Sequence, residues 1–161
     1  MHIALIEPEI PGNTGSIGRV CVGTGSPLHL VGKLGFSIDE AAVRRAGLDY
    51  WHKVQLRRHD DVDALMAATP GQRLWFLSAH GTLRYDQVTY AVDDILVFGG
   101  ESRGLDRRIT ERFADQVLYV PTNGEIRSLN LANCATAVLY EALRQQGFAG
   151  VVPGSGQAVS R

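Results

Sequence analysis

The segment Leu96–Leu105, LVFGGESRGL, joins an apolar strand-like run to a loop that contains Gly99, Gly100 and Gly104. Glycine has no Cβ, so it tolerates a positive φ angle and lets a ligand or another backbone approach closely. A loop of this kind at the end of a strand suits an adenosine-type cofactor that is held mainly by main-chain groups. A plain strand–turn–helix junction fits the glycine spacing equally well.

Apolar strand-like runs alternate with helical patterns along the rest of the chain. The predicted strands are His2–Ile6, Leu28–Val31, Val54–Arg58, Arg73–Leu77, Ile95–Phe98 and Val117–Val120. The predicted helices are Thr14–Thr24, Glu40–Ala46, Asp61–Ala68 and Ser128–Gln146. This alternation predicts an α/β fold with a mainly parallel sheet and helices on both of its faces. Ligands of such sheets bind beyond the carboxyl ends of the strands, where the glycine loop lies.

Composition indicates one globular domain without a strong overall charge. The chain has 161 residues, of which 45% are hydrophobic and 20% charged, and its formal net charge is -1. An RNA site would therefore depend on local clusters of Arg and Lys. We expect one domain over residues 1–148 and a flexible tail over residues 149–161, which is rich in Gly, Ser and Pro.

The cysteines and the length of the apolar runs bear on metals, membranes and location. Cys21 and Cys134 lie in separate helical patterns without a Cys/His cluster, so we expect two buried free thiols, no metal and a cytoplasmic location. No apolar run approaches the roughly 20 residues that cross a bilayer, so we expect no membrane partner. The chain also lacks the G-x-G-x-x-G pattern of a dinucleotide site, because Gly23-Thr24-Gly25 precedes a strand.

A second informative segment, Pro8–Arg19 (PEIPGNTGSIGR), connects the first strand to the first helix. We expect Asn13 or Thr14 to cap this helix, whose free N–H groups would suit an anion such as a phosphate. Arg19 lies about 200° around the helix from Ile17 and should point away from the apolar stripe. The alternative is a surface arginine on a capped helix.

The third segment, Val120–Tyr140 (VPTNGEIRSLNLANCATAVLY), runs from a strand end through a polar loop into the last helix. Asn130, Asn133, Ala137 and Tyr140 share one stripe of that helix, because they are three or four residues apart. We expect the two asparagines to face inward and to need hydrogen-bond partners. A helix cap with a solvated face is the alternative interpretation.

Together, the three segments resemble the three motifs of the SpoU family of RNA 2'-O-methyltransferases, which belongs to the SPOUT class. The resemblance covers about residues 2–148. The matching positions are Asn13, Gly15 and Arg19 in the first motif; Phe98, Gly99, Glu101, Gly104 and Leu105 in the second; and Pro121, Ser128, Leu129, Asn130, Leu131 and Asn133 in the third. Gly12, Gly100 and the loop Pro121–Arg127 depart from the common pattern.

The resemblance implies a deep trefoil knot and S-adenosylmethionine as the cofactor. The polar stripe of the last helix, with small Ala137, predicts a homodimer with Tyr140 as an anchor. The implied cofactor-binding residues are Leu77, Gly99, Gly100, Glu101, Val120, Ser128, Leu129 and Asn133. Since the carboxylate of Glu101 suits backbone N–H groups, we expect it mainly to hold its own loop. The candidate RNA-binding residues are Arg44, Arg45, Arg58, His59, Arg103 and Arg127.

The candidate catalytic residues implied by the resemblance are Arg19, Asn13, Ser128 and Asn130. Arg19 could be a base for the ribose 2'-hydroxyl, but a guanidinium resists deprotonation. We therefore favour a role in binding phosphate and stabilising negative charge on the 2'-oxygen, with the base role left open. Ser128 and Asn130 could bind the ribose or organise the cofactor loop.

Within the family, the chain is most similar to the small members that methylate the wobble nucleotide of tRNA. The similarity includes the block Arg44–Trp51 (RRAGLDYW), the Arg58-His59 pair and the lack of an RNA-binding extension. It implies 2'-O-methylation of the wobble cytidine or uridine, with leucine tRNAs as the expected substrates. The alternatives are another tRNA or ribosomal RNA position, or a catalytically silent protein that binds RNA or cofactor.

Overall fold

A parallel β-sheet forms the centre of the computed structural model, which describes residues 1–38 and 48–151. Within these residues it has seven strands: β1 (His2–Ile6), β2 (Leu28–Val31), β3 (Leu56–His59), β4 (Leu74–Leu77), β5 (Leu83–Arg84), β6 (Ile95–Phe98) and β7 (Val117–Tyr119). Their order is β3-β2-β1-β6-β4-β7-β5, and every neighbouring pair is parallel. The prediction of a mainly parallel sheet is confirmed.

Four α-helices lie in the described part of the chain: α1 (Pro11–Thr24), α2 (Val62–Ala68), α3 (Arg107–Arg112) and α4 (Leu131–Gln145). Two short 3-10 helices cover Trp51–Lys53 and Ala114–Gln116. The predicted helix Glu40–Ala46, the RNA-binding candidates Arg44 and Arg45, and residues 152–161 of the predicted tail lie outside the described residues.

The helices cover both faces of the sheet, as predicted. Alternate residues of β6 show the division: Leu96 and Phe98 pack into the cluster formed with α1 and α4, whereas Ile95 and Val97 pack into the cluster with α2 and α3. All four side chains are at most 2% exposed. Full burial of such a side chain contributes about 1.5–3 kcal/mol to folding. The same alternation makes the strand a run of apolar residues, because neither face meets water.

Helix α1 begins at Pro11, three residues before the predicted start, and has Ile10 at its N-cap position without a side-chain cap. Proline suits the first helical position because its missing N–H would have no partner within the helix. The prediction that Asn13 or Thr14 caps the helix is therefore wrong. Both residues lie inside the first turns and are buried, and the Asn13 amide is used elsewhere.

Helix α4 begins at Leu131, because Asn130 is its N-cap. The Asn130 side-chain oxygen accepts hydrogen bonds from the N–H groups of Ala132 and Asn133 at 2.9 and 3.2 Å. An asparagine in this position satisfies N–H groups that have no partner within the helix. Asn130 and Asn133 are both exposed within the protomer, so the inward orientation predicted for them is wrong, although Asn130 has the predicted hydrogen-bond partners.

Strand β5 and helix α3 were not predicted from the sequence. Strand β5 has only two residues, too few for an alternating pattern, and lies at the edge of the sheet beside β7. Helix α3 (RRITER) is rich in charge and has no apolar stripe, and Asp106 caps it by accepting from the Arg108 N–H at 2.7 Å. Strand β5 depends on its neighbour β7, and helix α3 depends on its Asp106 cap.

Three histidines from neighbouring strands form a hydrogen-bonded row. His2 Nδ1 lies 3.0 Å from His29 Nε2, and His29 Nδ1 lies 2.8 Å from His59 Nε2. The rings are stacked, with centroids 5.2 and 5.1 Å apart. Burial is the main cause of the lowered pKa values of all three imidazoles, and that of His29, which is 0% exposed, falls to about 3. The row is therefore neutral near pH 7.

This row should make folding sensitive to mild acid. Because the His29 pKa is lower in the folded chain than its ordinary value of 6.5, the unfolded chain binds more protons below about pH 6.5. The free energy of unfolding should fall by about 2 kcal/mol through His29 between pH 7 and pH 5. Denaturant titrations at several pH values measure this slope. His29→Gln should flatten it and His52→Gln, at an exposed site, should not; equal slopes in all three proteins would contradict the prediction.

Candidate active site

A cavity of about 570 Å³ lies at the carboxyl ends of β6, β4 and β7, which are neighbours in the sheet. The last residues of these strands, Phe98, Leu77 and Tyr119, line it. The loops that follow the three strands and the start of α4 complete the wall. The cavity is thus where ligands of parallel α/β sheets bind.

The glycine loop after β6 is folded tightly on itself. The Gly104 N–H donates to the Gly100 carbonyl at 2.8 Å, and a Cβ built on Gly99 would overlap the backbone carbonyl group of Gly104. Gly104 has a φ angle of 68°. The expected positive φ is therefore at Gly104, whereas Gly99 is needed for the close approach of two backbone segments.

The carboxylate of Glu101 ties this loop to the segment that leads into α1. It accepts hydrogen bonds from the Glu9 N–H at 2.8 Å, the Ile10 N–H at 3.2 Å and the Asn13 side-chain amide at 2.9 Å. Hydrogen bonds to an ionised carboxylate are among the stronger ones in proteins. The predicted role of Glu101 in holding its loop through backbone N–H groups is confirmed.

A side-chain relay continues from Glu101 through Asn13 to Asn130. Asn130 Nδ2 donates to Asn13 Oδ1 at 3.0 Å, while Asn130 Oδ1 caps α4. Both ends of this relay fix its direction, because a carboxylate can only accept and a helix N–H can only donate. Each asparagine therefore turns its amide nitrogen toward Glu101. The relay joins the three sequence segments at one point of the cavity wall.

Most predicted cofactor-binding residues line the cavity. They are Leu77, Gly99, Gly100, Glu101, Val120, Ser128 and Leu129. Asn133 is exposed on α4 and is not part of the lining. Among the catalytic candidates, Asn13, Ser128 and Asn130 line the cavity and Arg19 does not.

Arg19 lies on the exposed side of α1, as its helical position predicted. It is six residues beyond Asn13, which corresponds to about 9 Å along the helix axis. Its guanidinium carbon lies 5.3 Å from the ring centroid of Tyr50. Among residues 1–38 and 48–151, no carboxylate forms an ion pair with it.

The loop after β4 was missed as part of the site. Ser78, Ala79 and His80 line the cavity, as does Cys134 from α4. Burial raises the pKa of the Cys134 thiol to about 11, so this side chain remains protonated and forms part of the wall. The end of β4 was available as a signal, because the carboxyl ends of parallel strands meet at one edge.

The described RNA-binding candidates form two separate groups. Arg103 and Arg127 are exposed and line the cavity, whereas Arg58 and His59 end the edge strand β3. Three strand spacings separate β3 from β6, or about 14 Å. Nε2 of His59 is already in contact with His29, so only Nδ1 is free for another partner.

Several other arginines are paired with carboxylates and offer less free charge. Arg107, for example, bonds Glu111 at 2.7 Å and Arg112 bonds Asp63 at 2.6 Å.

Within the described ranges, no group of three or more His, Cys, Asp or Glu residues could hold a metal ion. None of the helices in residues 1–38 and 48–151 is long and apolar enough to span a bilayer.

Comparison with known proteins identifies the family. The profile of the SpoU rRNA methylase family matches residues 1–140. The chain belongs to the SpoU rRNA methylase family. The SpoU motifs recognised in the sequence are thus the three segments that meet at the cavity, and the SPOUT type of α/β fold follows from the same membership.

Individual relatives share the SpoU fold over nearly the whole chain. A tRNA (cytidine(34)-2'-O)-methyltransferase from Saccharophagus degradans is 47% identical over 150 residues, covering 92% of this chain and 97% of the relative. A solved structure concerning 2-OH methylation of C/U34 on tRNA is 42% identical, with a TM-score of 0.84 and coverages of 91% and 95%. The methyltransferase AviRb from Streptomyces viridochromogenes, solved with AdoMet, is 28% identical, with a TM-score of 0.74 and coverages of 91% and 57%.

Proposed function

We propose that this protein transfers a methyl group from S-adenosylmethionine to the ribose 2'-hydroxyl of the wobble cytidine or uridine of tRNA. The observation that carries the proposal is the relay from Glu101 through Asn13 to Asn130, which joins the three family motifs at the cavity. A tRNA (cytidine(34)-2'-O)-methyltransferase that matches nearly the full chain, and a solved structure that concerns 2-OH methylation of C/U34 on tRNA, support the same activity.

The cavity has the properties that an adenosine-type cofactor requires. Its volume of about 570 Å³ lies within the usual range for small-molecule sites, about 300–1,000 Å³. Gly99 and Gly100, which have no side chains, offer main-chain groups on that wall. We propose Leu77, Gly99, Gly100, Val120, Ser128 and Leu129 as the residues that hold the cofactor.

The protein's task in this reaction is to align the groups and stabilise charge. S-adenosylmethionine supplies, when bound, a methyl group already activated by the sulfonium. Asn13 and Asn130 hold the loops of the cavity in register, and alignment of this kind can lower a barrier by several kcal/mol. Arg19 binds the neighbouring phosphate and stabilises negative charge on the 2'-oxygen. Arg103 and Arg127 at the cavity contact the RNA backbone.

We further propose that the protein acts as a homodimer through the exposed side of α4. Tyr140 is 46% exposed and Phe148 38% exposed, and their ring centroids lie 6.2 Å apart. Exposed aromatic pairs of this kind are frequent anchors of protein interfaces. Small exposed Ala137 on the same side permits close approach of a second helix. In such a dimer, Arg19 of one protomer would reach RNA held at the cavity of the other.

Sedimentation velocity tests the dimer. The wild-type protein should sediment as a dimer at micromolar concentration, and Tyr140→Ala should shift the distribution toward the monomer because an anchor of the interface is lost. Val92→Ala removes an even more exposed apolar group elsewhere, at 62% exposure, and should leave the dimer intact. A monomeric wild type would contradict the proposal, and a fully dimeric Tyr140→Ala would exclude Tyr140 from the interface.

We also propose that the chain forms a deep trefoil knot, lies in the cytoplasm and has a single domain over residues 1–148. The knot is supported by membership of the SpoU family. The segment after β7 lines the same cavity as the loops after β4 and β6 before the chain enters α4. The substrate tRNA is found in the cytoplasm. The two buried or half-buried free cysteines, Cys21 and Cys134, agree with a reducing compartment.

A methylation assay with a defined acceptor tests the function. Purified protein, labelled S-adenosylmethionine and tRNA transcripts in excess chelator should yield alkali-stable dinucleotides that map to position 34. The matched control is the same tRNA with a 2'-deoxy nucleotide at position 34, which should take up no label. Label at another tRNA position, or in ribosomal RNA alone, would favour the alternative substrates. Cofactor binding without any transfer would indicate a silent member of the family.

A further inference from the structure

The side chain of Tyr50, in the segment before β3, contacts helix α1 at the level of Arg19. Its phenol donates a hydrogen bond to the Gly15 carbonyl at 2.8 Å, and its ring lies under the Arg19 guanidinium at 5.3 Å. Gly15 lies four residues before Arg19, so its carbonyl also accepts the Arg19 N–H of the helix. One side chain therefore contacts both the backbone turn and the charged head of Arg19.

Two glycines on α1 make this arrangement possible. A Cβ on Gly15 would lie 3.1 Å from Leu48, and a Cβ on Gly18 would lie 2.7 Å from the ring of Trp51. Without those Cβ atoms, the segment that contains Leu48 and Trp51 packs directly on the helix backbone. Tyr50, between them in sequence, is thereby held beside Arg19.

The chemistry of the pair fits a cation held over an aromatic face. A guanidinium is attracted to the negative face of the ring, and the planar group can stack on it. Burial raises the pKa of the Tyr50 phenol above its usual value, so the hydroxyl remains protonated and can donate to Gly15. No carboxylate in the described part of the chain competes for Arg19.

We infer that Tyr50 is a positioning residue for methyl transfer, which holds the Arg19 guanidinium in the orientation that meets the RNA ribose and phosphate. The inference rests on the proposed function of Arg19. The ring restricts the rotamers of a long, otherwise exposed side chain before the RNA arrives, so less entropy is lost when the reactive complex forms. The phenol anchors the ring to the same helix that carries Arg19.

Steady-state kinetics of three variants test the effect on the reaction. Tyr50→Leu should lower kcat by at least about tenfold and leave the KM for S-adenosylmethionine within twofold, because Arg19 is not part of the cavity lining. Tyr50→Phe keeps the ring and should retain kcat within about threefold. Tyr90→Phe is the matched control, because its phenol also donates to a backbone carbonyl, that of Tyr85, but away from Arg19. A Tyr50→Leu protein with wild-type kcat would overturn the inference.

A spectroscopic measurement separates the inference from the proposed function. In NMR spectra of the isotope-labelled protein, the Arg19 side-chain N–H resonance should show a ring-current shift from Tyr50. The resonance is assigned by its absence from the spectrum of Arg19→Lys. Tyr50→Leu should remove this shift and Tyr50→Phe should keep it, with the backbone spectrum otherwise unchanged. If the shift is present but the wild type methylates no tRNA, the proposed function fails. If the wild type methylates tRNA but the chemical shift of the Arg19 resonance is the same with and without the Tyr50 ring, the positioning role fails.

Discussion

Replacement of Arg19 by alanine is expected to lower the rate of tRNA methylation by at least about a hundredfold. The guanidinium is exposed, lies over Tyr50 and has no ion-pair partner in the described part of the chain, so its charge is free for RNA. The variant should still bind S-adenosylmethionine within about threefold of the wild-type affinity, because Arg19 is not part of the cavity lining. Single-turnover kinetics measure the first effect and calorimetry the second.

Two further variants define what the Arg19 side chain contributes. Arg108→Ala removes an exposed arginine from α3 and should leave methylation nearly unchanged. Arg19→Lys keeps the charge without the planar guanidinium and should recover only part of the rate. Should Arg19→Ala lose cofactor affinity while its fold is intact, Arg19 would belong to the cofactor side of the site. Retention of more than half of the wild-type rate would remove Arg19 from the reaction.

Replacement of Gly99 by alanine is expected to weaken the binding of S-adenosylmethionine by at least about a hundredfold and to lower the melting temperature. The added Cβ would overlap the Gly104 carbonyl group, so the backbone at Gly99 and the backbone at Gly104 must move apart. Their separation would also move Glu101, whose carboxylate holds Glu9, Ile10 and Asn13. Calorimetry with the cofactor and thermal melts of both proteins measure the two effects.

The chain offers a matched control for this substitution. Gly23 lies in α1, and a Cβ added there meets nothing within 4 Å. Gly23→Ala should therefore bind the cofactor normally and melt at the same or a slightly higher temperature, since alanine is the better helix former. Wild-type cofactor affinity in Gly99→Ala would show that the tight loop is not part of the cofactor site.

The relay from Glu101 to Asn130 gives the three motifs a common physical role. Helix α1, the loop after β6 and helix α4 are far apart in the sequence: Glu101 comes 88 residues after Asn13, and Asn130 comes 117 residues after Asn13. Each hydrogen bond contributes modestly, about 0.5–1.5 kcal/mol, but loss of one partner leaves the others unsatisfied in a half-buried site. The relay should therefore behave as a unit in which single substitutions are not additive.

The sequence was sufficient to predict six of the seven described strands, the parallel sheet and the cavity's position. Apolar runs such as Ile95–Phe98 are buried on both faces, and this burial leaves a continuous hydrophobic signal that needs no neighbour to be recognised. The ends of these runs mark where parallel strands open toward a ligand. The role of Glu101 as an acceptor of hydrogen bonds from backbone N–H groups was also predictable, because a single carboxylate beside glycines suits such donors.

Only the tertiary structure decided which groups meet across the chain. Asn13 could cap its own helix by sequence alone, yet Pro11 begins the helix earlier and Asn13 instead bridges Glu101 and Asn130. Tyr50 beside Arg19 and the row of His2, His29 and His59 arise in the same way, from strands and helices that pack side by side. Periodicity reports which face of an element avoids water. It carries no information about which distant side chain arrives at that face, because that depends on the order of strands in the sheet and on the close approaches that glycines allow.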